Sequence, residues 1–170
     1  MQINDFHVEL PQIVGDGTEF FLQATLPNSV ACAAHVHKAV ELLYNSIGQT
    51  PSELKITIHS SIPVTRGLGS SSSVIVGALL AANELLGRPA DEAALLSIAT
   101  EIEGHPDNVA PAILGGLIIA AQEDDGSITY RKLEWPEEWA ITVCVPDFEL
   151  ATEIARSVLP KEVPMKDAIF

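Results

Sequence analysis

The stretch IPVTRGLGSSSS, residues 62 to 73, joins an alternating segment at 54 to 62 to a run at 74 to 86 that is apolar almost all round. The alternation predicts a strand, and the apolar run predicts a buried helix. Glycines let the connecting backbone approach a ligand, and the helix start presents unpaired N–H groups at the positive end of its dipole. The stretch therefore predicts a phosphate-binding loop, in which a serine hydroxyl could also ligate Mg²⁺.

Other loop motifs fit this stretch less well. No Gly-Lys-Ser/Thr is present, so the loop is not a Walker A motif, and the spacing of Gly67, Gly69 and Ser72 does not match GxGxxG. The GxSxG sequence of serine hydrolases is also absent. A serine-rich helix start without any ligand stays open as the structural alternative.

A second polar cluster lies at the end of another predicted helix. Within eight residues it contains Glu101, Glu103, His105, Asp107 and Asn108. These groups can bind a divalent cation or a substrate ammonium, or orient a hydroxyl. Zinc is disfavoured because no second His or Cys stands at ligand spacing. A solvated helix end is the alternative.

The remaining pattern predicts an α+β fold in two layers, since hairpins and helices do not alternate strictly. Histidines 35, 37 and 59 are expected to be ordinary core or surface residues. Before the predicted phosphate loop, the sequence predicts paired strands within 1–27 and a helix from Asn28 or Ser29 to Gly48. After it, the sequence predicts a helix from Asp91 to Glu103-Gly104, a loop over 104–111 and a hairpin over 117–133 around Asp125-Gly126. A strand over 139–145 and a helix around 152–158 follow.

Composition limits the class of protein. The 170 residues are 47% hydrophobic, which suits one domain, and the net charge of −14 argues against a nucleic-acid partner. No apolar run approaches the ~20 residues of a membrane helix, and the N-terminus lacks a leader pattern. We expect a soluble, cytoplasmic protein without a membrane partner. Cys32 and Cys144 are expected to be buried free thiols.

The two polar stretches together resemble a known family. Residues 62–73 look like the phosphate loop of the GHMP small-molecule kinases, and EIEGHPDNVAP at 101–111, followed by LGG at 114–116, resembles homoserine kinases in particular. The resemblance extends from about Val30 onward and includes VPDFELATEIARSVLPKEVP at 145–164. It implies a ribosomal-S5-domain-2-like α+β domain followed by a ferredoxin-like domain, and ATP-dependent phosphorylation of L-homoserine in threonine biosynthesis.

The resemblance also implies roles for individual residues. Mg²⁺ would be held by Ser71 (or Ser70) and Glu101. L-homoserine would be contacted by His105, Asp107 and Arg156, with Arg156 suited to its α-carboxylate and Asn108 polarising the hydroxyl or a phosphate oxygen. The ATP phosphates would be wrapped by Pro63, Val64, Thr65, Arg66, Gly67, Leu68, Gly69, Ser70, Ser71, Ser72 and Ser73.

The sequence departs from the family at both ends. Nothing before Phe20 resembles the PATSANLGPGFD-like start of homoserine kinases, and an SGAGP-like motif is missing near the end. We therefore expect residues 1–170 to be part of the N-terminal, ATP-binding domain, without the ferredoxin-like domain. Apolar surface and sheet edges should be exposed, so that the chain is marginally stable or self-associating, and a homodimer stays open. The competing functions are another GHMP kinase, of the mevalonate-pathway type, and a catalytically silent nucleotide-binding fragment.

Overall fold

The fold is a mixture of helices and strands in a computed structural model that describes residues 21–24, 29–51, 54–58, 60, 62–145, 147–148, 157–160 and 162–168. The elements in chain order are β1 (Phe21–Ala24), α1 (Ser29–Ser46), β2 (Lys55–Ile58), α2 (Ser70–Leu85), α3 (Glu92–Glu103), α4 (Pro106–Leu114), β3 (Leu117–Gln122), β4 (Ile128–Leu133) and α5 (Met165–Ala168). No helix among these is long and apolar enough to cross a membrane.

The strands form two separate pairs in the described part of the chain. β1 and β2 are parallel, with Phe21 opposite Lys55, and helix α1 connects them. β3 and β4 form an antiparallel hairpin, with Leu117 opposite Leu133. The turn of this hairpin contains Asp125 and Gly126, as predicted, and Asp125 Oδ1 accepts the Ser127 backbone N–H at 2.9 Å. The mixed α and β composition predicted from the sequence is therefore confirmed.

Helices α1 to α4 enclose the core, and α2 lies at its centre. From Ser70 to Leu79 every residue of α2 except Ser71 is buried, whereas Leu80 and Leu85 are exposed. The prediction of a buried helix is therefore confirmed for the first half of the apolar run, which is covered on every side, and not for its second half. The core also takes side chains from α1, β2, α3 and α4: Val36, Ala39, Val40, Leu43, Tyr44, Ile58, Leu95, Leu96, Ala99, Val109 and Ala110.

Two local interactions fix α3 against α2. The buried Asn83 on α2 pairs with both backbone groups of Ala90, donating at 2.9 Å and accepting at 3.0 Å. Asp91 then caps α3 by accepting the Ala94 N–H at 2.9 Å, which confirms the predicted cap. Gly104 ends the helix with a φ of 90°, a conformation that favours glycine. The end of α3 is therefore held at a defined place beside α2.

Several sequence predictions are wrong in the described residues. The predicted loop over 104–111 is largely helix. Pro106 occupies the first turn of α4, where a backbone N–H would have no partner within the helix, so the N–H that proline lacks is not needed there. The predicted strand over 139–145 is irregular. Cys144 is exposed rather than buried. The strands predicted before Phe21, most of the helix around 152–158 and the Cys32 side chain lie outside what the structure describes.

The part of the chain after α4 is far more exposed than the helical part. Lys132 Nζ donates to the Leu114 carbonyl at 2.5 Å and so ties the hairpin to the end of α4. Beyond that tie, large apolar side chains face solvent on the hairpin and on the irregular segment that follows it: Leu117, Ile119, Tyr130, Leu133, Trp135, Trp139, Ile141, Val143, Val145 and Phe148. The exposed apolar surface expected from the sequence is therefore present.

Candidate phosphate-binding site

The loop after β2 ends at the start of α2 in a conformation that suits an anion. Gly69 precedes the helix with a φ of 71° and provides no side-chain cap. Since the first N–H groups of a helix have no partner within it, those at the start of α2 are available to a ligand, at the positive end of the helix dipole. Ser73 Oγ donates to the Ser70 carbonyl at 2.7 Å, so that hydroxyl is used internally.

Two serine hydroxyls of α2 converge on one carboxylate of α3. Ser71 Oγ donates to Glu103 Oε2 at 3.0 Å, and Ser72 Oγ donates to Glu103 Oε1 at 2.9 Å. Ser72 is fully buried, and Ser71 and Glu103 are half-buried. Both carboxylate oxygens are thus held by hydroxyls at the start of the buried helix. A carboxylate fixed in this way presents its remaining lone pairs in a defined direction.

A histidine from α1 completes this group. His35 Nδ1 lies 3.4 Å from Ser71 Oγ, a long contact within hydrogen-bonding reach. His35 is half-buried, and the next residue along α1, Val36, is fully buried in the core. The sequence predicts an ordinary core or surface histidine at residue 35. Nothing in the α1 sequence indicated this contact, because it depends on how α1 packs against α2.

The loop before Gly69 is held by its own polar groups. Thr65 has a φ of 56°, an uncommon value for a residue other than glycine. Arg66 Nη1 donates to the Val64 carbonyl and to Thr65 Oγ1, both at 3.3 Å. Arg66 Nη2 donates to the Asp147 carbonyl, also at 3.3 Å, and so links this loop to a distant part of the chain. The guanidinium therefore stabilises a strained turn within the predicted phosphate loop.

The beginning of α4 brings a second set of polar side chains to the loop. The Asn108 carboxamide lies against the Gly69 backbone, so closely that a Cβ at residue 69 would be 3.4 Å from Asn108 Oδ1. His105 Nδ1 donates to Asp107 Oδ1, and the same oxygen accepts the Asn108 backbone N–H at 2.9 Å. The structure therefore places Asn108 beside the predicted phosphate loop and pairs His105 with Asp107 at the start of the same helix.

The two glutamates of the predicted cluster lie in different surroundings. Glu101 is exposed, whereas Glu103 contacts the serines. Residues two apart on a helix point in nearly opposite directions, so both glutamates cannot face α2. Glu103 continues the buried stripe of Leu96 and Ala99, and this spacing was a signal in the sequence for choosing it. The assignment of Glu101 to a metal stays a prediction, and Arg156 lies outside the described residues.

The donor set suits a hard cation that arrives with phosphates. No group of three or more His, Cys, Asp or Glu side chains that could hold a metal is found among the described residues. Mg²⁺, however, is usually bound by one or two carboxylates together with substrate phosphates and waters. Two hydroxyls and one carboxylate at the start of α2 fit that requirement, since all their donor atoms are oxygens.

Comparisons with known proteins agree on one family. Residues 34–116 match the model of the GHMP kinases N terminal domain. Homoserine kinase from Moorella thermoacetica is 42% identical over 158 residues, which are 93% of this chain and 51% of that protein. Homoserine kinase from Carboxydothermus hydrogenoformans is 41% identical over 94% of this chain and 49% of its own length.

A solved structure gives the same result for the fold. The crystal structure of homoserine kinase from Cytophaga hutchinsonii superposes with a TM-score of 0.74 at 26% identity, over 95% of this chain and 53% of that one. The chain therefore spans about half the length of the curated relatives and of the solved structure that it matches.

Proposed function

We propose that this chain, a homologue of the homoserine kinases in the GHMP kinase family, forms the ATP-binding part of a homoserine kinase. The reaction would transfer the γ-phosphoryl group of ATP to the side-chain hydroxyl of L-homoserine, giving O-phospho-L-homoserine in cytoplasmic threonine biosynthesis. The observation that carries the proposal is the convergence of Ser71 and Ser72 on Glu103 at the start of α2. The domain assignment of residues 1–170 as a partial GHMP N-terminal domain belongs to the same proposal.

The loop from Pro63 to Ser73 would bind the ATP phosphates. Its positive-φ residues, among them Gly67 and Gly69, let backbone N–H groups turn toward a ligand, and α2 adds its unpaired N–H groups and its dipole. With a net charge of −14 and nine basic residues, the chain has few side chains to neutralise phosphate. Backbone dipoles therefore have a large share of this task.

Glu103 and the α2 serines would hold the Mg²⁺ of the nucleotide. Bound Mg²⁺ neutralises charge on the phosphate oxygens during phosphoryl transfer. The contribution of the chain is to fix the carboxylate and the Ser71 hydroxyl next to the phosphate loop before the nucleotide arrives. The family resemblance assigns the metal to Glu101 instead, and substitutions at the two glutamates distinguish these assignments.

The start of α4 would form the side of the site that receives the acceptor. Asn108 lies against Gly69 and could donate from its carboxamide to the acceptor hydroxyl or to a phosphate oxygen. Asp107 orients the imidazole of His105 by accepting from its Nδ1, which leaves Nε2 to the substrate. Arg156 is proposed to bind the substrate carboxylate, because its guanidinium can bond both oxygens at once.

The first experiment separates nucleotide binding from catalysis. Calorimetry of the 170-residue chain with Mg²⁺ and ATP should show binding, and ADP release would be assayed with L-homoserine and with mevalonate in the complete polypeptide. Turnover with L-homoserine supports the proposal. Preference for mevalonate would favour another GHMP kinase, and binding without turnover would favour a silent nucleotide-binding protein.

A matched pair of substitutions tests the metal site. Glu103→Gln should weaken Mg²⁺-dependent ATP binding about tenfold or more, the scale of a hydrogen bond or ligand contact made by a charged group. Glu101→Gln, with the same chemical change two residues earlier on the same helix, should leave binding within about twofold. A larger loss of Mg²⁺-dependent ATP binding in Glu101→Gln than in Glu103→Gln would assign the metal to Glu101 instead.

A further inference from the structure

The hydroxyl of Ser71 lies within hydrogen-bonding reach of two side chains, which come from two different helices. Glu103 Oε2 on α3 lies 3.0 Å from Ser71 Oγ, and His35 Nδ1 on α1 lies 3.4 Å from the same oxygen. A serine hydroxyl has a single hydrogen and can donate it to only one acceptor at a time. The Glu103 carboxylate is charged and closer, so it accepts the hydrogen of Ser71. His35 Nδ1 is left as the second group within reach.

A cation at Glu103 would change this balance. A carboxylate oxygen that ligates Mg²⁺ becomes a weaker hydrogen-bond acceptor, and a serine that ligates the same ion must point its hydrogen away from it. Ser72 does not compete for His35, because its hydroxyl donates to the other oxygen of Glu103 at 2.9 Å. His35 Nδ1 is then the acceptor within reach of the Ser71 hydrogen.

We propose that His35 is a positioning residue, whose Nδ1 accepts the Ser71 hydroxyl hydrogen when Glu103 is engaged by the Mg²⁺ of a nucleotide. The Ser71 oxygen thereby keeps its lone pairs available to the ion. This role rests on the proposed function and requires the His35 tautomer with hydrogen on Nε2.

Packing makes the arrangement persistent. His35, Ser71 and Glu103 project from α1, α2 and α3, and side chains next to them on each helix are fully buried, including Val36, Val74 and Ala99. Helices locked by a packed core do not shift to rescue a lost contact. Removing the acceptor at residue 35 should therefore leave the Ser71 hydroxyl without that partner, because the helices cannot move to replace the contact.

The first test needs no nucleotide. Nitrogen NMR of the 170-residue chain, at about pH 8.5 where imidazoles are ordinarily neutral, should show His35 with hydrogen on Nε2. Glu103→Ala, which removes the competing acceptor, should move the Nδ1 signal toward the position of a hydrogen-bonded nitrogen, and adding Ser71→Ala to that variant should reverse the change. Hydrogen on Nδ1, or an Nδ1 signal indifferent to Glu103→Ala, would overturn the proposal.

The second test measures the Mg²⁺ dependence of binding to a non-hydrolysable ATP analogue. His35→Leu should raise the Mg²⁺ concentration for half-saturation about three- to tenfold, the effect of one hydrogen bond, without changing Mg²⁺-free binding. His35→Asn should restore most of the affinity, because its amide oxygen can accept the same hydrogen. His37→Leu, on the exposed face of α1, is the control and should have no effect.

The outcomes of the two proposals can be told apart. Equal behaviour of His35→Leu and His35→Asn would show that only packing matters at residue 35 and would overturn the positioning role. A wild-type chain that binds no nucleotide would contradict the proposed function of this chain, and the NMR experiment would then decide the His35 contact on its own.

Discussion

The helical region from Gly69 to Gly116 and the segment from Leu117 to Phe148 are built from similarly apolar sequence but differ in how that sequence is covered. In the first, Leu79 and Val109 are completely buried. In the second, Ile119 is 62% exposed and Ile141 is 70% exposed. Ser71, Glu103 and Asn108 of the candidate site belong to the covered region.

The difference shows which part of the chain supplies its own packing partners. Helices α1 to α4 bury one another, so the positions of Ser71, Glu103 and Asn108 depend on contacts within this chain. The hairpin buries part of one face against the core, through Ile118 and Ala120, and leaves its other face to solvent. We infer that stability and site geometry are determined in the first region, and that association is determined in the second.

The largest effect should come from the core of the helical region. Leu79→Ala removes a fully buried side chain from α2 and should lower the free energy of unfolding by about 3 kcal/mol. Ile119→Ala, on the exposed face of β3, should lower it by less than about 0.5 kcal/mol. Urea titrations of both variants check this, and similar losses would erase the distinction between the regions.

The next effect concerns two glycines of the phosphate loop. Gly67 and Gly69 have φ values of 69° and 71°, so alanine at either position should destabilise the fold by about 1–2 kcal/mol. Only the methyl group at residue 69 would lie against Asn108, whereas nothing lies within 4 Å of the one at residue 67.

The paired glycine variants separate strain from site geometry. Gly69→Ala should weaken ATP binding in calorimetry clearly more than Gly67→Ala does, although their melting temperatures fall alike. Equal binding by the two variants would mean that the contact between Gly69 and Asn108 does not shape the phosphate site.

A smaller effect is expected in the hairpin turn. Hydrogen bonds from the Ser127 hydroxyl and backbone N–H lower the pKa of Asp125 below its ordinary value of 3.8. The charged form is thus favoured by folding, so this contribution is present above about pH 4 and is lost as the pH falls through the lower folded pKa.

Substitution in the turn exposes that contribution. Asp125→Asn should lower stability slightly at pH 7 and flatten the fall in stability below pH 4. Asp124→Asn in the same turn is the matched control, because Ser127 bonds to Asp125 and not to its neighbour. Thermal melts between pH 2.5 and 7 measure both, and an unchanged acid profile for Asp125→Asn would contradict the assignment.

In the irregular segment, a clear change in association should accompany little change in stability. Ile141→Lys with Val143→Lys replaces two exposed apolar side chains of the irregular segment and should alter the free energy of unfolding by no more than about 1 kcal/mol in total. Sedimentation velocity should show a self-associating wild-type chain and a largely monomeric double variant. A monodisperse wild-type monomer would contradict this view of the segment.

Patterns that depend on neighbours in the sequence predicted the helical region well. Asp91 as a cap and Gly104 as a stop each act within one helical turn, and the apolar run after Ser73 acts along a single helix; the structure confirms the cap, the stop and the helix. The turn at Asp125-Gly126 was predictable for the same reason. The loop predicted around Pro106 was wrong because proline is common both in loops and in the first turn of a helix, and the sequence alone does not separate the two.

Features that depend on distant partners could not be obtained in this way. The alternation from Trp139 to Val145 is typical of a strand, but a strand needs a neighbour to pair with, and this segment is irregular in the structure. Helical periodicity was enough to predict that Glu103, and not Glu101, lies beside Ser71, because Glu103 shares a helix face with Leu96 and Ala99. The approach of His35 was not, because it is created by the packing of α1 on α2.

The order of the site residues along the chain has a consequence for synthesis. His35, Ser71, Ser72 and Glu103 all lie between the starts of α1 and β3, and the hydrogen-bonding contacts among them join positions 31 to 36 residues apart. Chains emerge from the ribosome N-terminus first, and contacts of modest sequence separation form early. We expect the carboxylate and hydroxyl group at α2 to assemble on the nascent polypeptide while the apolar hairpin is still being translated.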